Sequence, residues 1–437
     1  MVLRRKSFLF SFRIFILCFL ISITIFTKNQ FLINVMFALF GFLVIIFFAP
    51  REVRKLIVFA FFIRIIFVLI DLYVFPLPES REGSDALMFL SIGWEWSQNG
   101  LMWLFTHFTS GAFMYSWLIA LVYSFFGRNQ FLIQFFNSLF GAFIVWNVYL
   151  IAKSVWSEKE GIISAYICTF FPTLIYFSAL SFREVPIVFF FTSGLLFFIK
   201  WLKEERIEYI LTSEISFALS TGFHSGMIWA ILFPAFELLY EIFEVIRRIR
   251  LKMAFKKILA IFLVSMIIFA VFETRFGFEK IPSSGISDAS LNLLKMQSVA
   301  ARDRAAYLVW LTTDGVFDII WQAPIRIIYF LFTPFIWMIK LPVDLLGFVD
   351  AVIYLILCFL IILNIKKMIR NRKALLMVIF LVGEIGIFAL TTSNYGTALR
   401  HRAKFVPIIV ILASYKISEA LSKNNTRLFR FRKFRDG

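Results

Sequence analysis

Residues 111–126 read GAFMYSWLIALVYSFF, a run without a single charge. Whether it crosses a bilayer decides the side on which every later loop lies. A spanning helix needs about 20 apolar residues to traverse a hydrocarbon core of about 30 Å, and this run is shorter. Six apolar runs would separate the 78–108 loop from the basic stretch RRIRLKMAFKK (247–257) if 111–126 counted as one of them. An even number of crossings then puts that basic stretch on the outer side, against the positive-inside rule. Treating 111–126 as an interfacial or partly inserted helix restores the parity. The same argument applies to 325–341, which Pro334 interrupts and Lys340-Leu341-Pro342 closes.

Working outward, the whole chain is built of such runs. Of its 437 residues 61% are hydrophobic and 16% charged, whereas a soluble domain is about half apolar and a quarter charged. Candidate spans are 8–26, 31–49, 56–77, 130–152, 160–180, 185–202, 208–222, 226–244, 257–272, 346–366, 374–391 and 405–421. The class is therefore all-α: a polytopic membrane protein of about twelve transmembrane helices plus outer-face juxtamembrane helices. One membrane domain covers 1–437. No soluble domain fits between the runs. The net charge of +18 sits in short loops: Arg4-Arg5-Lys6, REVRK (51–55), RRIRLKMAFKK, KKMIRNRK (366–373) and the tail RLFRFRKFRDG (427–437). That is a topology signal and not a nucleic-acid surface. Cys18, Cys168 and Cys358 all lie in apolar runs, which argues against a disulfide framework or a zinc site. The basic start and apolar run of the N-terminus, without a small-residue cleavage site, read as a retained first helix.

Both termini are then cytoplasmic. The outer face receives 78–129, a first outer loop with juxtamembrane helices, then 181–185, 223–225, 273–345 and 392–404. The loop 273–345 is long and holds the interfacial or re-entrant helix. All three histidines, His107, His224 and His401, fall on that face, so the working side is expected there.

Four constellations stand out. In EGSDALMFLSIGWEWSQNG (82–100), Ser84, Ser91, Glu95 and Gln98 form a polar stripe, and Leu87, Leu90 and Trp94 an apolar one. The segment reads as a helix on the membrane surface. Asp85 in its first turn is either functional or simply favoured by the helix dipole behind a Ser84 cap. In FPTLIYFSALSFREVPIVFFF (171–191), Arg183 and Glu184 sit between two apolar runs, as a site or as an ion pair in the headgroup layer. In TTSNYGTALRHRAKFVP (391–407), Arg400, His401, Arg402 and Lys404 gather cations on the outer side. They fit a phosphate or pyrophosphate, or anionic lipid. The 273–322 loop, long enough to be functional, carries Arg302 and Arg304, and Arg326 follows it. Inside the runs, Arg64, Asp71, Glu214 and Glu384 are functional candidates or structural pairs.

The order of these pieces carries a resemblance. An outer-loop Asp85 is followed by MYSWLIALVYSFFGRNQFLIQFFNSLFGAFIVWNVYLIAKSVW (114–156), then FPTLIYFSALSFRE (171–184), and late in the chain NYGTALRHR (394–402). This resembles the GT-C class of integral-membrane glycosyltransferases, above all the bacterial branch similar to aminoarabinose transferases and protein mannosyltransferases. The likeness covers 70–200 well and 325–410 loosely. It implies a polyprenyl-phosphate-linked sugar as donor and a glycan, lipid or protein hydroxyl as acceptor. It places the protein in the plasma (inner) membrane among membrane lipids, working on the outer face. Carried over, Asp85 is the acidic residue of the catalytic loop and base for the acceptor. Glu184 orients the acceptor or shares a divalent cation (Mg or Mn) with Asp85. Arg400, His401, Arg402, Lys404 and Arg326 bind the donor phosphate. Glu95, Arg183, His224, Arg302 and Arg304 support the acceptor. The chain departs from the pattern where Ser84 and Ala86 flank Asp85 in place of a paired acid, and where Phe89 stands for a Tyr. Two other classes fit less well: a polysaccharide polymerase using polyprenyl-pyrophosphate-linked glycans, and a lipid-linked sugar flippase or transporter, for which no internal repeat is visible.

Overall fold

The computed structural model describes residues 2–27, 29–247, 259–260, 262–268, 304–311 and 316–435. Among them the backbone is helical, apart from turns and one isolated bridge between Ala306 and Asn394. The chain divides into two compact units, Met1–Trp146 with Thr169–Pro186, and Asn147–Cys168 with Ile187–Gly437.

The first unit opens with α1 (Val2–Phe26), α2 (Gln30–Phe48) and α3 (Arg54–Tyr73). α2 and α3 each bury a stripe at helical spacing. In α3 the stripe is Ile57, Ala60, Phe61, Arg64, Ile65, Val68 and Asp71. Two short surface helices follow, α4 (Asp85–Ser97) and α5 (Leu101–Thr106), then α6 (Met114–Phe126). At 1.5 Å per residue the 13-residue α6 is about 20 Å long, short of a hydrocarbon core. It spends its apolar face on α4 instead. Gly93 of α4 comes so close to α6 that an added Cβ would lie 2.5 Å from Ile119 Cγ2 and 3.0 Å from the Ser116 carbonyl oxygen. The first part of α7 (Gln130–Val155) and α9 (Pro172–Ser178) complete this unit.

The expected span 160–180 is two helices, α8 (Glu158–Phe170) and α9, bent by 59°. Pro172 is the cause. It has no N–H to continue α8, and it forces Phe171 into extended backbone.

The second unit holds α10 (Glu184–Glu204), α11 (Ile207–Phe223), α12 (Ile228–Arg247), α13 (Val316–Phe332), α14 (Asp344–Leu363), α15 (Ile365–Arg370), α16 (Arg372–Thr391), α17 (Tyr395–Arg402) and α18 (Val406–Arg435). Every residue from Arg402 to Ser414 is buried, so the start of α18 forms the core of this unit. A helix apolar on all sides belongs there. α17 and α18 meet at 66°. α13 ends before Pro334, and 336–338 is a single 3-10 turn, so the 325–341 run is not one continuous helix.

Among the described residues six helices are long and apolar enough to cross a membrane, eight if each bent pair counts as one span. The protein is a multi-pass membrane protein. The sequence-based span 257–272 and most of the 273–322 loop, including Arg302, lie outside the described residues.

Candidate functional site

In the first unit the chemistry gathers where α4, α6, α7 and the 179–184 connection meet. Ser84 Oγ accepts from the Leu87 N–H at 3.4 Å and starts α4, which places Asp85 in its first turn. Asp85 and Phe89 are one turn apart and share a face. The Phe89 ring meets Tyr115 edge-on at 5.7 Å, and the Arg183 guanidinium lies 6.0 Å from its centre. Asn137 of α7 fastens the connection. Its amide nitrogen lies 2.7 Å from the Leu180 oxygen, 2.8 Å from that of Phe182 and 2.9 Å from the Tyr115 hydroxyl. Glu184 follows at once as the first residue of α10, 2% exposed, and acts electrostatically on Tyr115. Its Oε2 is buried without a hydrogen-bond partner. A buried carboxylate oxygen left open is costly unless something uses it. Glu95 stands exposed, ten residues along α4 from Asp85.

Asp71 has a structural role, through hydrogen bonds in place of an ion pair. Its carboxylate accepts from the Leu77 N–H (2.8 Å), Ser80 Oγ (2.9 Å) and Gln134 Nε2 (2.6 Å), tying the end of α3 to α7. Arg64, buried on the same helix, donates to the Ala60 carbonyl at 2.7 Å.

The cationic cluster of the second unit divides. Arg402 is fully buried: Nε donates to Asp350 at 2.7 Å, and the two Nη groups donate to the carbonyls of Leu331, Thr333 and Gly347. It is a packing residue that ties α13, α14 and α17 together, which corrects its assignment to the donor phosphate. Lys404 is also fully buried, with Nζ 3.0 Å from His401 Nδ1 and 5.3 Å from the centre of the Phe388 ring. Arg326, 3% exposed, donates through Nε and Nη2 to Gln322 Oε1 one turn back in α13. Neither is presented to a phosphate. Arg400 and His401 are half-buried and keep a surface.

Two of the three histidines meet. The rings of His224 and His401 are 4.9 Å apart and edge-on, and both pack on Phe388, at 5.2 and 4.8 Å. His224 Nδ1 accepts from the Gly226 N–H at 3.1 Å, which leaves the proton of the neutral ring on Nε2. Arg304 is structural. It donates to Asp344 at 2.9 Å and to the Tyr395 hydroxyl at 3.0 Å, and the bond to Asp344 holds its pKa above the ordinary arginine value.

Asp350 and Asn137 escape a reading by motif. Asp350 carried a signal nonetheless: a lone acid inside the apolar run 346–366 needs a buried cation, and Arg402 is that cation. Among the described residues no group of three or more His, Cys, Asp or Glu gathers to hold a metal. Glu184 Oε2 offers an open oxygen of the kind a divalent cation takes.

Residues 110–273 match the family model described as dolichyl-phosphate-mannose-protein mannosyltransferase. No curated protein matches the chain. Among solved structures, the oligosaccharyltransferase of Archaeoglobus fulgidus in the apo form superposes with a TM-score of 0.51 at 14% identity. That match covers 88% of this chain and 52% of the other, so the chain spans about half the length of that relative. The oligosaccharyltransferase AglB from the same organism, in complex with an inhibitory peptide and a dolichol-phosphate, gives 0.47 at 12% identity over 87% of this chain and 51% of that one. The chain thus shares its fold with that oligosaccharyltransferase, and its 110–273 segment is similar to a mannosyltransferase family.

Proposed function

We propose that this protein transfers a sugar from a polyprenyl-phosphate donor to a hydroxyl acceptor on the outer face of the plasma (inner) membrane, in the synthesis of a cell-envelope glycan or glycoconjugate. The observation that carries the reading is the buried Glu184 carboxylate with its open oxygen. It is held at the Asn137 clamp beside the Arg183–Phe89 contact, inside the segment matched to a mannosyltransferase family.

The reaction asks for a base at the acceptor. Asp85 takes the proton of the acceptor hydroxyl as its oxygen attacks the anomeric carbon. The carbon–oxygen bond to the phosphate breaks, and the lipid phosphate leaves with the electron pair, inverting the sugar carbon. Glu184 accepts from a second hydroxyl of the acceptor and so orients it. If a divalent cation is used, Glu184 and Asp85 are the carboxylates to hold it, supplying positive charge to the departing oxygen. Arg400 and His401, half-buried in the second unit, carry donors of the kind that suit phosphate oxygens.

The test is transfer of radiolabelled sugar from a polyprenyl-phosphate donor in proteoliposomes. Asp85→Asn should lower the rate by about 100-fold or more, the range of a lost general base, with the protein still folded. Glu184→Gln should do the same. Near-normal transfer by Asp85→Asn sinks the catalytic assignment.

A further inference from the structure

A cavity of about 650 Å³ lies in the first unit, against α4 and the α6–α7 turn. Its polar lining is Glu82, Ser84, Ser91, Tyr123, Arg128 and Gln130. Leu87 and Leu90 supply apolar wall. The size falls in the range of ordinary ligand sites, about 300–1,000 Å³.

The cavity takes in the first two residues of the polar stripe of α4. Ser84 and Ser91 are seven residues apart, two turns on one face, and both line it. Phe89 and Asp85 project from a neighbouring face, about 100° or more around the helix. The cavity therefore starts at the first turn of α4, beside the residue assigned as base.

Arg128 is placed there by construction. Gly127 before it has φ of +73°, a conformation that suits glycine. Asn129 after it is pinned by its amide to Gln30 at 2.5 Å and Asn34 at 2.7 Å. The Arg128 guanidinium lies 6.0 Å from the centre of the Trp94 ring, and Trp94 in turn packs on Tyr123 at 6.1 Å. Among the described residues the guanidinium makes no hydrogen bond or ion pair, so its N–H donors are open to the cavity; it also acts electrostatically on Tyr123. Glu82, exposed on the same cavity, brings an acceptor carboxylate and opposes a purely anionic ligand.

We infer that this cavity binds a carbohydrate, the glycan end of the acceptor. A guanidinium and a carboxylate match vicinal hydroxyls as paired donors and acceptors. Serine hydroxyls and an amide add single bonds, and the aromatic and leucine wall takes the apolar face of a sugar ring. The inference rests on the transferase reading for the word acceptor, and on the cavity alone for the word carbohydrate.

The probe is a panel of neutral trisaccharides of glucose, mannose, galactose and N-acetylglucosamine, tested by saturation-transfer NMR on the full chain in nanodiscs. At least one should receive saturation. Arg128→Ala should weaken its binding about tenfold, and Ser91→Trp, which fills the cavity from an exposed position, should abolish it. Asp85→Asn should still bind while losing transfer. No saturation of any trisaccharide, or binding untouched by Ser91→Trp, overturns the carbohydrate assignment. Binding lost in Ser91→Trp with sugar transfer intact separates the cavity from the acceptor and leaves the transferase standing. Binding without transfer by the wild type from any polyprenyl-phosphate sugar leaves the cavity standing and removes the transferase reading.

Discussion

Arg400 and Arg402 show how a cluster in sequence comes apart in space. Two residues along a helix are about 200° around it, so the two side chains leave opposite faces. One keeps a surface and the other enters the core to meet Asp350. The cationic composition was legible, because three cations and a histidine fall within five residues. Its division was not, because that depends on which face of α17 packs on α13 and α14. The consequence is measurable. Arg402→Ala leaves Asp350 buried and unpaired, which costs about 3–5 kcal/mol, and should show as a large fall in thermal midpoint in detergent. Replacing the pair together, Arg402→Met with Asp350→Leu, should recover much of it. Arg400→Ala should leave the midpoint within about 1 kcal/mol of wild type, as a surface change does, and weaken donor binding. Equal destabilisation by Arg400→Ala and Arg402→Ala would contradict the division.

At the scale of elements, apolar length and proline placement were readable, and the linking polar contacts were not. Within 111–126, α6 is short for a membrane span, and its apolar face packs on α4 at Gly93. The length was visible in the sequence; the partner was not. Likewise SFRE announced a charged junction, but nothing local says that Asn137, more than 40 residues earlier, holds its backbone. The clamp makes Asn137 a positioning residue. In Asn137→Leu, which keeps the branching of the side chain, the buried carbonyls of Leu180 and Phe182 lose their donor. The stability loss should be about 1–3 kcal/mol. The connection that carries Glu184 should loosen with it. Sugar transfer should therefore fall further than the loss of folded protein accounts for, with kcat affected and the protein still inserted. A variant with wild-type kcat would make the clamp merely structural.

At the scale of the molecule, membrane class follows from composition, while sidedness rests on where the short basic loops fall. The two readings of 111–126 and 325–341 place the catalytic loop and the basic loops on opposite sides only if neither run crosses. For the first, α6 is about 20 Å long against a hydrocarbon core of about 30 Å. Sidedness itself is a matter for chemistry on intact cells. With Cys18, Cys168 and Cys358 replaced, a single cysteine at Gln98, exposed just after α4, should react with a membrane-impermeant maleimide added outside. A single cysteine at Arg206, exposed between α10 and α11, should react only after the membrane is opened. An odd number of crossings, those of 130–152, 160–180 and 185–202, separates the two positions. Modification of both from the outside would mean that one of the bent or short helices had been counted wrongly, and would move the Arg400–His401 surface to the other side from the one proposed.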